Sequence, residues 1–175
     1  MTTTEPGYAE RYATWIAYAR PLFEAHEKGT FTGYPYVIND SAPLVPLRKP
    51  LAEATILPIT SGGLYLAASQ EPFDAPNFEG DQTYRTLPTR LAQDEIAIAH
   101  GHYDPAEALR DYNAVFPLDR LRELAAAGQF AGLTDDGFSF MGYVTDAGTF
   151  AAGTAQAIAR AVVASGADAA ILVPV

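Results

Sequence analysis

Apolar positions between Tyr8 and Phe23 recur three and four residues apart: Tyr8, Tyr12, Trp15, Ile16, Ala19, Leu22 and Phe23. That spacing puts them on one face and predicts an amphipathic helix over residues 8–28. Pro21 falls inside it and is expected to kink or divide the helix, because proline lacks the amide donor and crowds the preceding turn. The periodicity then stops. Pro35, Pro43, Pro46 and Pro50 punctuate residues 29–50, a pattern that predicts an ordered arm or linker.

From about Ala52 the pattern becomes short apolar runs alternating with helical stretches. Residues 54–59 read as a strand ending in the turn Thr60-Ser61-Gly62-Gly63, although Pro58 cannot donate to a central ladder. Residues 95–99 read as a second buried strand, leading into His100-Gly101-His102-Tyr103-Asp104. Asp104-Pro105 is a good cap and first-turn pair for a short helix. Residues 118–127 read as a helix with Gly128 past its end, and residues 138–144 as a third strand. An alanine-rich helix is predicted over residues 149–164, and a final strand over 169–173. The last strand is apolar on both faces and is expected to be central. The fold class read from this order is α/β: a three-layer sandwich with a mainly parallel sheet, plus the N-terminal helix. Residues 1–50 form the helix and proline-rich arm, and residues 51–175 the α/β domain, within one globular unit.

Composition narrows the function classes. A chain of 175 residues, 49% of them hydrophobic, can bury an adequate single core. No run of about 18 apolar residues occurs, so no membrane span is expected. Met1 to Pro6 lacks the basic and apolar regions of a signal peptide, and the expected location is cytoplasmic. Asp and Glu number 21 against 11 Lys and Arg, and the net charge of −10 argues against nucleic acid as a partner. There is no cysteine, which excludes disulfides, thiolate metal sites and thiol nucleophiles within these residues.

Ligands of such sheets bind at the carboxyl ends of strands. Four segments are expected there: Thr60 to Gly63, His100 to Asp104, Met141-Gly142 and Pro174-Val175. Two of the three histidines, His100 and His102, alternate on extended chain and so point the same way. They are candidates for binding a substrate or moving its proton; the structural alternative is a satisfied strand-end histidine, with Asp104 only capping the next helix. No metal is expected, because a third ligand is lacking nearby. Thr60, Ser61 and Gly62 could offer hydroxyls and free backbone N–H groups to an anion, or form an ordinary turn. Gly142 would allow close backbone approach beside Met141. Asn113 is expected to shape the loop before Val115-Phe116-Pro117.

Three runs carry a resemblance: Val115-Phe116-Pro117-Leu118-Asp119-Arg120-Leu121-Arg122-Glu123-Leu124, Phe138-Ser139-Phe140-Met141-Gly142, and Gly166-Ala167-Asp168-Ala169-Ala170-Ile171-Leu172-Val173-Pro174-Val175. His102-Tyr103-Asp104 followed by Asp111-Tyr112-Asn113-Ala114 adds to them, with weaker likeness back to Ala52. This set resembles the selenoprotein B component of glycine, betaine, sarcosine and D-proline reductases. The resemblance implies reductive cleavage of a carbon–heteroatom bond by a selenolate or thiolate, an oxidoreductase with a disulfide as acceptor. It implies that the histidines, Tyr103 and Asp104 bind substrate or supply a proton to the leaving group. Together with the placement above, the catalytic candidates are His100, His102 and Asp104, and the substrate-binding candidates Thr60, Ser61, Gly62, Tyr103, Asn113, Met141 and Gly142. No cofactor is expected in the chain. The electron donor would be an external dithiol or a selenoprotein partner, thioredoxin-like or part of a reductase complex, and a homo-oligomer is an open alternative. In that family the last run leads directly into the redox selenocysteine or cysteine. The sequence stops where that residue is expected, so three explanations stand: a selenocysteine codon read as a stop, a second polypeptide supplying the group, or a non-catalytic subunit binding a small molecule or a partner. By itself the 175-residue chain is expected to be inactive.

Overall fold

A computed structural model describes residues 7–39 and 41–175, so the sequence reading of Met1 to Pro6 lies outside the described residues. The N-terminal helix α1 spans Tyr8–Glu24, shorter than expected, and it holds Pro21 in its last turn. There the missing amide removes only one bond of a ladder that is already ending. Trp15 and Ala19 form its buried stripe. They pack against Phe78, with Tyr12, Ile16, Phe23 and Tyr34 around them. Two tyrosine hydroxyls pin the helix and arm to the rest: Tyr12 shares a 3.0 Å hydrogen bond with the Thr145 hydroxyl, and Tyr34 donates to the Thr145 carbonyl at 2.7 Å. The arm that follows contains no helix or strand among its described residues and exposes Ile38, Leu44 and Val45.

Strand β1 (Thr55–Thr60) is the hub of the main sheet. The later elements are β2 (Leu64–Leu66), β3 (Tyr84–Pro88), β4 (Ile96–Ile98), α2 (Ala106–Arg110), α3 (Leu118–Ala126), β5 (Gly132–Leu133), β6 (Asp136–Phe140), α4 (Ala147–Ala152), α5 (Thr154–Ala164) and β7 (Ala169–Val173). β7 runs parallel to β1 along one edge, from Ile56↔Ala169 to Thr60↔Val173. β5 and β6 share the other edge, β5 opposite Thr55 and Ile56, β6 opposite Ile59 and Thr60, both parallel. β3 completes the sheet antiparallel to β6.

Pro58 is tolerated in this central strand for a geometric reason. The Ile56 carbonyl accepts from Thr134 on the β5–β6 edge, so Pro58, two residues on, faces that edge too. The break between β5 and β6 lies opposite it, and the missing donor costs no ladder bond there.

Helices cover both faces. α5 packs Ile158, Ala161 and Val162 over Leu57, Ile59 and Phe138. The other face holds the larger cluster, with Leu87 of β3, Leu118 of α3, Ala108 of α2, and Phe116 and Val115 from the loop between them. The α/β class, the mainly parallel sheet and the N-terminal helix therefore agree with the sequence reading.

Four details differ. Residues 95–99 do not join the main sheet: β4 pairs antiparallel with β2 in a separate two-stranded ribbon. β2 and β3 were not foreseen, because Tyr84-Arg85-Thr86 alternates without a continuous apolar run. The alanine-rich helix is broken at Gly153 into α4 and α5. Finally, β7 pairs with β1 alone among the described strands and is an edge, not a centre, with Leu172 67% exposed. An apolar run shows what a strand tolerates, not how many partners it has.

Candidate functional site

At its carboxyl end β1 runs into Ser61-Gly62-Gly63, and three other segments converge on this turn. The Ser61 amide donates to the Val173 carbonyl at 3.1 Å, and the Ser61 carbonyl accepts from the Gly142 amide at 2.8 Å. Gly62 forms an isolated antiparallel bridge with Met141. Gly63 adopts φ +68°, and a Cβ there would stand 2.4 Å from the Ala99 carbonyl oxygen and 3.2 Å from the His100 Cβ. Glycine is thus required both by conformation and by the approach of the His100 segment. The Ala99 amide closes the contact by donating to the Gly63 carbonyl at 2.9 Å. On the far side the Val175 amide donates to Ser61 Oγ at 2.9 Å.

The turn does not offer free amides. Ser61 N–H goes to Val173, Gly62 N–H to Thr60 Oγ1, Gly63 N–H to the Phe140 carbonyl, and Leu64 N–H to Ser139 Oγ. Thr60 itself is fully buried and donates its hydroxyl to the Val115 carbonyl at 2.6 Å. Met141 is also fully buried. Of the two readings the sequence left open, an anion-receiving turn or an ordinary one, the geometry matches the second, a knot of internal bonds, because a strand end surrounded by three chain segments finds protein partners for each donor.

The loop from His100 to Asp104 supplies the exposed chemistry. His100 is half-buried, its Nδ1 accepts from the His102 amide at 3.2 Å, and its Nε2 is buried with no hydrogen-bond partner. Burial, and then the neighbouring His102, hold the His100 pKa below the usual histidine value; burial lowers that of His102. The His102 ring lies flat on Tyr143, with centroids 3.4 Å apart and planes 11° from parallel. Tyr103 packs on His100 at 4.8 Å and donates its hydroxyl to the Gly62 carbonyl at 2.8 Å. Burial raises the phenols of Tyr103 and Tyr143 to about 12. Asp104 Oδ1 accepts from the Ala106 amide at 3.0 Å, holding the entry to α2.

Of the residues singled out by sequence, Thr60, Ser61, Gly62, Tyr103, Met141, Gly142 and the His100 segment thus meet at one strand end. Asn113 belongs to a different network: its amide nitrogen donates to Asp111 and Asp119, and its oxygen accepts from the Asp119 amide. Arg122 completes that network on Asp119 and the Leu91 carbonyl. Sequence reasoning placed Gly63 in the turn but missed Tyr143, which had no signal, since its stacking partner lies 41 positions away in the sequence. Among the described residues no group of three His, Cys, Asp or Glu side chains is placed to hold a metal. A cleft of 630 Å³ opens elsewhere, between α1 and the arm, lined by Trp15, Tyr18, Tyr34 and Tyr36. No helix among the described residues is long and apolar enough to cross a membrane.

Comparison with known proteins identifies relatives. Over 127 residues the chain is 31% identical to D-proline reductase subunit gamma of Acetoanaerobium sticklandii, covering 73% of this chain and 51% of that protein. It is 35% identical over 142 residues to glycine reductase complex component B subunit gamma of Carboxydothermus hydrogenoformans, covering 81% of this chain and 32% of the relative. Sarcosine reductase complex component B subunit beta of Peptoclostridium acidaminophilum is 29% identical over 148 residues, with 81% and 32% covered. The chain thus spans about a third to a half of the length of these curated relatives. No solved structure matches. The family model described as Glycine/sarcosine/betaine reductase selenoprotein B (GRDB) matches residues 25–175. The match begins just after α1 and takes in every later element, so the chain belongs to the glycine/sarcosine/betaine reductase selenoprotein B family.

Proposed function

We propose that these 175 residues form the substrate-handling part of a reductase-complex component that cleaves a carbon–heteroatom bond in a small molecule. The selenolate or thiolate is supplied from outside them, since they contain no cysteine. Glycine, sarcosine and D-proline, in the names of the relatives, share a carboxylate beside the carbon that bears nitrogen. A chalcogenolate attacks that carbon, a C–Se or C–S bond forms as the C–N bond breaks, and the departing nitrogen takes a proton. One thiol of an external dithiol then attacks the chalcogen, the carbon leaves and takes a proton, and the second thiol frees the chalcogenolate as the dithiol ends as a disulfide. His100, His102 and Tyr103 hold the substrate or serve the leaving group.

The observation that carries this reading is the 2.9 Å bond from Val175 N–H to Ser61 Oγ. It ties the C-terminal residue to the turn that also holds the His100 loop, so a residue joined to Val175 would begin at the candidate site. The absence of cysteine favours a second reading, a non-catalytic subunit that binds a small molecule or a partner.

One experiment separates them. The 175-residue protein and a version with cysteine appended after Val175 are compared for dithiothreitol-dependent consumption of glycine, sarcosine and D-proline. The first should turn over none of them and the extended form at least one. Turnover by the unextended protein overturns the proposal. Equal substrate binding by both forms, with no turnover by either, favours the binding subunit.

A further inference from the structure

We propose that His100 is a fixed hydrogen-bond donor, through Nε2–H, to a carboxylate oxygen of the ligand bound at the carboxyl end of β1. The inference deepens the reading above and rests on it for the identity of the site.

The tautomer follows from one contact. His102 N–H points at His100 Nδ1 from 3.2 Å, so Nδ1 is the acceptor and bears no proton. A neutral imidazole then carries its hydrogen on Nε2. That N–H is buried and has no partner among the described residues. An unmet buried donor is costly, and native structures keep one where something absent completes it. Bulk water does not reach this nitrogen as the loop stands, and a ligand would meet it by displacing what covers it beside the exposed Gly101 and His102.

The ring is also held in place. Tyr103 packs on it at 4.8 Å, and the Tyr103 hydroxyl is anchored on the Gly62 carbonyl. The His100 Cβ sits against Gly63 so closely that a side chain there has no room. Turning the ring over would break the bond from His102. Protonating Nδ1 would set two N–H donors face to face, which, like the burial, opposes the cation. His100 is therefore a poor proton shuttle and a good neutral donor.

Elimination adds weight. The amides of Ser61, Gly62, Gly63, Leu64 and Gly142 are all spent on protein acceptors. Of the side-chain donors at this strand end, the His100 Nε2–H, the His102 ring N–H and the Ser61 hydroxyl hydrogen remain, and of these only the first is buried without a partner. A carboxylate is the acceptor that gains most from such a donor, because the charged oxygen makes the shorter and stronger bond.

Long-range ¹H–¹⁵N spectra of the labelled 175-residue protein test this directly, with His26, His100 and His102 assigned through single substitutions. At about pH 7, His100 should show the Nε2–H tautomer. Sodium acetate and glycine should shift its Nε2 resonance, and methylammonium should not. His100→Gln keeps an N–H near the Nε2 position and should retain acetate binding, whereas His100→Phe should weaken it by about tenfold or more. An Nδ1–H or doubly protonated ring overturns the proposal, as does an equal response to methylammonium, no response to either carboxylate, or wild-type binding by His100→Phe. The tautomer and acetate response of the unsubstituted protein decide the matter even if the Phe variant fails to fold. A carboxylate-binding Nε2–H in a chain whose cysteine-extended form reduces nothing would remove the reductase reading and leave this one standing; turnover with the other tautomer would do the reverse.

Discussion

Gly63 carries two constraints at once, and they can be separated by comparison with Gly128. Both have φ near +70°, but a Cβ at Gly128 meets nothing within 4 Å, whereas at Gly63 it lands on the Ala99 carbonyl. Gly128→Ala should therefore cost about 1 kcal/mol, the left-handed strain alone. Gly63→Ala adds a backbone clash that only movement of the His100 loop can relieve, and should cost about 3 kcal/mol or more. Urea unfolding of the two variants measures the difference. Equal costs would mean that the His100 segment is not pressed against the turn.

Among the elements, β7 decides how the sheet is understood. It is apolar throughout, yet only one edge is paired among the described strands, and Leu172 lies 67% exposed while its register partner Ile59 is buried. Leu172→Lys should change stability by no more than about 0.5 kcal/mol. Leu57→Ala, in the fully buried heart of β1, should cost about 3 kcal/mol. If chemical denaturation found the two equally damaging, β7 would have a second neighbour. α1 is held by loops rather than by the sheet: its stripe is covered by Phe78, from the loop between β2 and β3, and by Tyr34 of the arm, so helix and loops share a cluster.

At the scale of the whole molecule, Trp15 is the single tryptophan and sits in that shared cluster, 4% exposed. Its fluorescence therefore reports the docking of α1. His100 and His102 have folded pKa values below the ordinary histidine value of 6.5, so the unfolded chain binds more protons between the folded values and 6.5. Stability from this source is full above about pH 6.5 and is lost as the pH falls through the folded values. Thermal unfolding followed by Trp15 fluorescence should accordingly show a midpoint that declines as the pH is lowered from 7.5 towards 5. The decline should be shallower in a protein carrying His100→Gln and His102→Gln. An unchanged slope would assign the effect to groups outside the loop.

Local chemistry was legible in the sequence wherever a side chain's preference and its neighbours in the chain agree. The three- and four-residue spacing gave α1, the apolar runs gave β1 and β7, and Gly128 marked a helix end by its freedom to take positive φ. The gathering of Ser61, Met141, Gly142 and the His100 loop could be anticipated because parallel strands deliver their carboxyl ends to one side. Pairing was not legible, since hydrogen bonds between distant segments depend on which edges meet and not on composition. Only the tertiary structure made β7 an edge, moved β4 into a ribbon with β2, and let Pro58 sit opposite a gap. It also spent the turn's amides on protein acceptors, bound Asn113 to Asp111 and Asp119, and left His100 Nε2 without a partner. A donor's partner is fixed by what folds beside it, and that is settled when the segments pack together.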